Sequence, residues 1–113
     1  MGKSIAFYAP LKSPNHPIPS GDRTIARGII SALQDIDWVD EIVLMSELRS
    51  RDGLGSDATQ NELIARADAE TTRILRGPLP DAWVTYHNYY KAPDLIGPEV
   101  CKRAGLPYFV IEA

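Results

Sequence analysis

The fold is decided by residues 5–23, which begin Ile5-Ala6-Phe7-Tyr8-Ala9-Pro10 and continue through Leu11 to Ser20-Gly21-Asp22-Arg23. The opening is a short apolar run of the kind that forms a fully buried strand. Four prolines then stiffen residues 10–20, called the proline loop below, and prevent them from continuing as a helix. Ser20 is a favoured N-cap, and an amphipathic pattern follows it. The stretch therefore predicts a strand, a shaped loop and a helix N-terminus.

Apolar periodicity and turn residues divide the rest of the chain into alternating helices and strands. The first helix follows Ser20, with apolar residues at helical spacing as far as Ile36. The later elements are predicted to be a strand over 41–45, a helix capped by Ser56 or Asp57 and stopped at Gly77, a strand over 82–86, a short helix from Pro98 to Gly105, and a strand over 108–111. This βαβαβαβ pattern predicts one Rossmann-like α/β domain over residues 1–113, with a parallel sheet of order 2-1-3-4 and helices on both faces.

One face of this predicted sheet lacks a full cover. Right-handed crossovers place the first helix on one face and the second and third helices on the other. Both alternating sets of strand four, Tyr108 with Val110 and Phe109 with Ile111, are apolar, yet parallel sheets rarely leave a face bare. We therefore expect the chain to be a piece of something larger, or to associate with itself through the uncovered face.

Composition and charge exclude several classes of function. The net charge is −3 and the basic residues are scattered, which argues against nucleic acid as a partner. The single cysteine, Cys101, is compatible with a reducing cytosol, and no apolar run approaches the ~18 residues of a membrane span. We expect a cytoplasmic protein; attachment to the periphery of a membrane stays open as an alternative, although no basic amphipathic helix favours it.

Two loops are predicted to meet at the carboxyl edge of the sheet, where doubly wound sheets bind ligands. In the proline loop, Ser20-Gly21 offers helix N–H groups to an anion, although a simple helix cap explains these residues about equally well. The loop after strand three carries His87, Tyr89, Tyr90 and Lys91, a set that suits a sugar or nucleotide, with an aromatic-packed structural loop as the alternative. Glu112, at the end of strand four, should point into the same crevice.

Sequence motifs for a tightly held cofactor or metal are missing. The chain has no Gly-x-Gly-x-x-Gly after strand one and no Walker lysine loop, so a phosphate loop is not predicted. Its histidines and its cysteine do not have the spacing of metal ligands. We therefore predict neither a cofactor nor a metal site.

Five stretches, taken in order and spacing, resemble the N-terminal domain of bacterial family 4 (group 1) glycosyltransferases: residues 5–12, 19–23, 48–53, 85–87 with 90–94, and 109–113. The resemblance implies the GT-B architecture of two Rossmann domains, the first holding a sugar or lipid-linked acceptor and the second a nucleotide-sugar donor. It implies retaining transfer without an obligatory metal, in the cytoplasm or at the periphery of the inner membrane.

The resemblance also assigns positions in the site. It implies that the Ser20-Gly21 turn approaches the donor phosphates and sugar, and that His87 and Glu112 line the acceptor side. We predict His87 and Glu112 as catalytic residues. The predicted substrate-binding residues are Lys12, Ser20, Gly21, Arg23, Tyr89 and Lys91.

The sequence departs from the family because it lacks the second domain with its Glu-x₇-Glu donor region. We therefore expect these residues alone to be catalytically inactive. The alternative from another class is a small flavodoxin-like binding or regulatory domain that pairs with itself through the uncovered sheet face.

Overall fold

The computed structural model describes residues 2–18, 20–50, 57–87 and 92–112. The elements in chain order are β1 (Lys3–Tyr8), α1 (Gly21–Gln34), β2 (Val39–Leu44), α2 (Asp57–Arg76), β3 (Ala82–Tyr86), α3 (Gly97–Ala104) and β4 (Tyr108–Ile111). The sheet has the order β2-β1-β3-β4, and each neighbouring pair of strands is parallel. The predicted Rossmann-like α/β fold and its strand order are therefore confirmed.

Local signals in the sequence set the helix boundaries. The Ser20 hydroxyl accepts a hydrogen bond from the Arg23 N–H at 3.2 Å and so caps α1. Helix α3 has Pro98 in its first turn and ends at Gly105, whose φ of 69° lies in the left-handed region that glycine adopts freely. Helix α2 begins at Asp57, while its alternative cap, Ser56, lies outside the described residues.

Two apolar cores lie on opposite faces of the sheet. On one face, Ala26 of α1 packs with Phe7 and Val84 of the central strands. On the other face, α2 and α3 cover Tyr8 and Trp83, whose rings meet edge to face with centroids 6.4 Å apart. The central strands β1 and β3 are thus covered from both sides, whereas the edge strand β2 is only partly buried. This arrangement matches the distribution of helices predicted from right-handed crossovers.

Strand β4 carries the uncovered part of the sheet. Phe109 pairs in the ladder with Val84, a member of the α1-side core, so Phe109 lies on the α1 face. It is nevertheless 55% exposed, and Val110 on the opposite face is 38% exposed. Both faces of β4 are therefore partly uncovered, and the exposure is greatest at Phe109 on the α1 face.

The exposed edge at β4 is expected to cause self-association of the isolated chain. The other edge strand, β2, carries exposed Asp40 and Glu41, charges that oppose pairing between edges, whereas Tyr108–Ile111 has neither a charge nor a proline. Since burying one large apolar side chain contributes about 1.5–3 kcal/mol, Phe109→Lys should weaken association by about tenfold or more.

Sedimentation velocity over a range of concentrations measures this effect. Ile64→Lys is a matched control, because Ile64 is 51% exposed on α2, away from the sheet edge, and its replacement should leave association unchanged. A parent chain that stays a compact monomer at high concentration would contradict the expectation.

Candidate functional site

One carboxylate joins the two loops that were predicted to meet at the carboxyl edge. His87 follows β3 directly, and its Nδ1 lies 3.1 Å from Oδ1 of Asp22 in the first turn of α1. The Tyr86 hydroxyl donates to the same oxygen at 3.3 Å. The structure thus brings His87 to the N-terminus of α1, and the residue that joins them, Asp22, was not among the predicted site residues.

The backbone of His87 is held in an unusual conformation. Its φ is 65°, in the left-handed region that residues other than glycine seldom adopt. The His87 N–H donates to the Ile111 carbonyl at 2.9 Å, which ties the end of β3 to the end of β4. Glu112 follows Ile111 and is exposed, so the two predicted catalytic residues lie on neighbouring strand ends. Such backbone conformations persist where the surroundings over-determine them, and they concentrate at functional sites.

Tyr86 adds a neutral donor to this cluster. Burial, together with the charge of Asp22 and the hydrogen bond to it, raises the pKa of the Tyr86 hydroxyl above its ordinary value. Its ring lies beside the His87 imidazole, with centroids 5.6 Å apart. The phenol therefore stays protonated and keeps donating to Asp22 throughout the physiological pH range.

The proline loop is held by guanidinium groups that donate to its backbone carbonyls. The three contacts are Arg23 Nη1 to His16 at 2.9 Å, Arg27 Nε to Pro14 at 2.7 Å, and Arg49 Nε to Leu11 at 2.9 Å. Arg23, a predicted substrate-binding residue, braces the loop through its Nη1. Its Nε is buried and has no hydrogen-bond partner among the described residues.

The remaining predicted substrate-binding residues have different surroundings. Gly21 is exposed at the start of α1, and a Cβ placed there would meet no other atom of the described residues within 4 Å. Lys12 is partly buried in the proline loop and has no hydrogen bond or ion pair among the described residues. Tyr89 and Lys91 lie outside the described residues. The N-terminus of α1 is therefore sterically open at Gly21.

A polar cleft of about 600 Å³ lies between the end of β2 and α2. Its polar lining consists of Ser46, Glu47, Arg66, Glu70 and Arg73. Arg73 pairs with Glu70 at 2.7 Å, and the Ser46 hydroxyl donates to Glu70 at 2.6 Å. The hydrogen bond from Arg73, more than any other contact, lowers the pKa of Glu70 below its ordinary value. None of these residues was predicted as a site residue. Arg66, Glu70 and Arg73 are polar positions on a helix, which ordinarily indicate a solvated surface, and Ser46 and Glu47 lie in a polar loop after β2.

The cleft and the proline loop share a border. The Ser13 hydroxyl of the proline loop donates to Glu47 Oε1 at 3.2 Å, and the same hydroxyl accepts from the Asn15 N–H at 3.1 Å. The loop therefore lies between the cleft on one side and the N-terminus of α1 on the other.

A buried carboxylate organises the scaffold behind the site. Asp94 is 8% exposed, and its Oδ2 accepts from the hydroxyls of Thr85 at 2.5 Å and Tyr108 at 2.7 Å. Its Oδ1 accepts from the backbone N–H groups of Ile96 at 2.9 Å and Gly97 at 2.8 Å, at the start of α3. Burial and the charge of Asp94 raise the pKa of the Tyr108 hydroxyl. Asp94 thus ties β3, β4 and α3 together.

Other functional signals are sparse in the part of the chain that the structure describes. No three His, Cys, Asp or Glu side chains in these residues come together as a metal ion would require. None of the described helices is long and apolar enough to cross a membrane. Comparisons of the chain with protein-family models, with curated proteins and with solved structures found no match.

Proposed function

We propose that this chain is the N-terminal, acceptor-side domain of a GT-B glycosyltransferase, which transfers a sugar from a nucleotide-sugar donor to a sugar or lipid-linked acceptor. The observation that carries the proposal is the contact between Asp22 and His87, because it joins a helix N-terminus and an imidazole at the carboxyl edge of the sheet. A helix N-terminus suits a diphosphate, and an imidazole suits the handling of a hydroxyl proton.

The α1 N-terminus has the properties that a leaving diphosphate needs. Transfer breaks the bond between the anomeric carbon and a phosphate oxygen, so negative charge grows on the diphosphate as the bond lengthens. Preorganised N–H dipoles near that oxygen lower the barrier, and the positive end of the α1 dipole supplies them. Gly21 leaves room for the phosphate to approach the backbone, since no atom of the part of the chain that the structure describes lies within 4 Å of its Cβ position.

The part of the acceptor remote from its reacting hydroxyl is expected to lie in the cleft beside β2, while the reacting hydroxyl lies at His87. The cleft's volume of about 600 Å³ falls within the usual range for small-molecule sites. The cleft offers both hydrogen-bond donors and acceptors to the hydroxyl groups of a sugar. They come from a hydroxyl, carboxylates and guanidinium groups, such as those of Ser46, Glu70 and Arg66. With a lipid-linked acceptor, this domain would work at the cytoplasmic periphery of the inner membrane.

A second candidate function, a self-associating binding or regulatory domain, is favoured by the exposed Phe109. It predicts a dimer through β4 and no response to nucleotide sugars. If the chain is instead a glycosyltransferase domain, further polypeptide is expected to cover Phe109, since parallel sheets are ordinarily covered on both faces.

The test is a donor screen with the longest natural form of the protein. UDP-, GDP- and ADP-sugars are supplied with sugar acceptors, and release of the nucleoside diphosphate is measured. We expect release with one class of donor, a strong loss with His87→Ala, and no turnover by residues 1–113 alone. Turnover by the purified short chain, or no release from any donor, would contradict the proposal.

A further inference from the structure

We propose that Asp22 is a positioning residue that holds His87 in the Nδ1–H tautomer and so places the lone pair of the ring on Nε2. The role of that lone pair in sugar transfer rests on the proposed function. The tautomer itself does not, because it follows from contacts that exist in the domain alone.

The geometry at Asp22 determines which nitrogen carries the proton. Nδ1 of His87 lies 3.1 Å from Oδ1 of Asp22, and an ionised carboxylate can only accept. A hydrogen bond there requires a proton on Nδ1, and the neutral ring then has its acceptor nitrogen at Nε2. Asp22 Oδ1 accepts from the Tyr86 hydroxyl as well, at 3.3 Å, which fixes the carboxylate from a second direction.

The backbone contacts restrict the imidazole further. His87 has a φ of 65°, and its N–H is engaged by the Ile111 carbonyl at 2.9 Å. Asp22 belongs to the first turn of α1, a position that the helix dipole favours for a carboxylate. The position of the His87 ring is thus fixed by its own backbone at the end of β3 and by Asp22 at the N-terminus of α1.

This tautomer fits the proton balance of sugar transfer. For retaining transfer, the acceptor oxygen bonds to the anomeric carbon from the face on which the phosphate departs, and the electron pair of the broken carbon–oxygen bond leaves with the nucleoside diphosphate. The acceptor hydroxyl proton passes to Nε2, which turns the ring into an imidazolium beside the Asp22 carboxylate. Asp22 therefore acts through His87 and does not itself touch the reacting atoms.

His16 supplies an internal reference with the opposite tautomer. The chain has two histidines, and Nδ1 of His16 accepts from the Ile18 N–H at 3.1 Å. An accepting Nδ1 carries no proton, so neutral His16 must be in the Nε2–H form. The structure thus predicts opposite tautomers for the two rings in one sample.

Long-range proton–nitrogen correlation spectra of the isolated domain, recorded at mildly alkaline pH, test this directly. We expect a protonated Nδ1 in His87 and a protonated Nε2 in His16. Asp22→Ala should move His87 toward the Nε2–H form that an unconstrained ring prefers, and His16 should not change. Asp35→Ala is a matched control, because Asp35 lies at the opposite end of α1.

Asp22→Asn is a second variant that tests the proposal even if Asp22→Ala does not fold. The amide has nearly the same shape but can donate as well as accept, so a mixture of the two His87 tautomers is expected. An Nε2–H form of His87 in the parent, or an unchanged tautomer in both Asp22 variants, would overturn the proposal. Failure of every nucleotide sugar to bind would count against the proposed function while leaving these spectra as expected.

Discussion

Asp94→Ala is expected to lower the free energy of unfolding by about 3–4 kcal/mol, because each hydrogen bond to a charged group contributes about 1.5–3 kcal/mol. The substitution removes the acceptor for the hydroxyls of Thr85 and Tyr108 and for two N–H groups at the start of α3. Relief of the desolvation of the carboxylate offsets part of this loss. The free energy of unfolding of a small domain is about 5–15 kcal/mol in total, so the variant should be close to unfolding at physiological temperature.

Urea unfolding of parent and variant measures the change. Asp68→Ala is the control, since Asp68 is exposed on α2 and its replacement should change stability by no more than about 0.5 kcal/mol. The stability of Asp94→Asn should lie between those of Asp94→Ala and Asp68→Ala, because the side-chain carbonyl of the asparagine can still accept from the N–H groups at the N-terminus of α3. A midpoint for Asp94→Ala equal to that of Asp68→Ala would show that the network around Asp94 contributes little.

Gly21→Val should reduce sugar transfer by about 10²–10³-fold in the longest natural form of the protein, a loss typical for removal of one well-placed electrostatic donor. The valine side chain would stand at the N-terminus of α1, in the open space where the donor phosphate is proposed to approach. The fold should survive, because Ser20 still caps the helix and the new Cβ meets no described residue within 4 Å.

Gly28→Val is the matched control for this substitution. Gly28 lies within α1, and a Cβ there also meets nothing within 4 Å, but it is two helical turns from the proposed site. Turnover and melting temperature are compared for both variants and for His87→Ala, which should also impair transfer. Near-parental turnover in Gly21→Val and His87→Ala would mean that these loops only shape the scaffold.

The fold could be predicted because its determinants are local in sequence. Ser20 marks the start of α1, Pro98 and Gly105 bracket α3, and alternating apolar runs mark the strands. The strand order then follows from connection rules, and incomplete cover of β4 follows from the number of helices available to each face, whereas the exposure of Phe109 in particular comes from the structure. None of these inferences needed a contact between distant side chains.

The sequence predicted that the proline loop and the loop after β3 meet at the carboxyl edge of the sheet, but it did not predict the side-chain contacts there. Asp22 reads as an ordinary acidic residue in a first helical turn, and its contact with His87 joins positions 65 residues apart. Arg23 reads as a cation near a phosphate site, but its partner is the backbone carbonyl of His16, which carries no sequence signal. Asp94 is likewise ordinary in sequence, and only tertiary packing shows that it is buried.

We propose that the N-terminus of α1 and the end of β3 form a binding site for a nucleotide sugar. The most direct measurement is an amide proton–nitrogen titration of the isolated domain with UDP-glucose and GDP-mannose. We predict weak binding, with the largest shift changes at the amides of Gly21, Asp22 and His87, and a much smaller response in Gly21→Val. No response to either compound at millimolar concentration, or changes confined to β4, would contradict the claim.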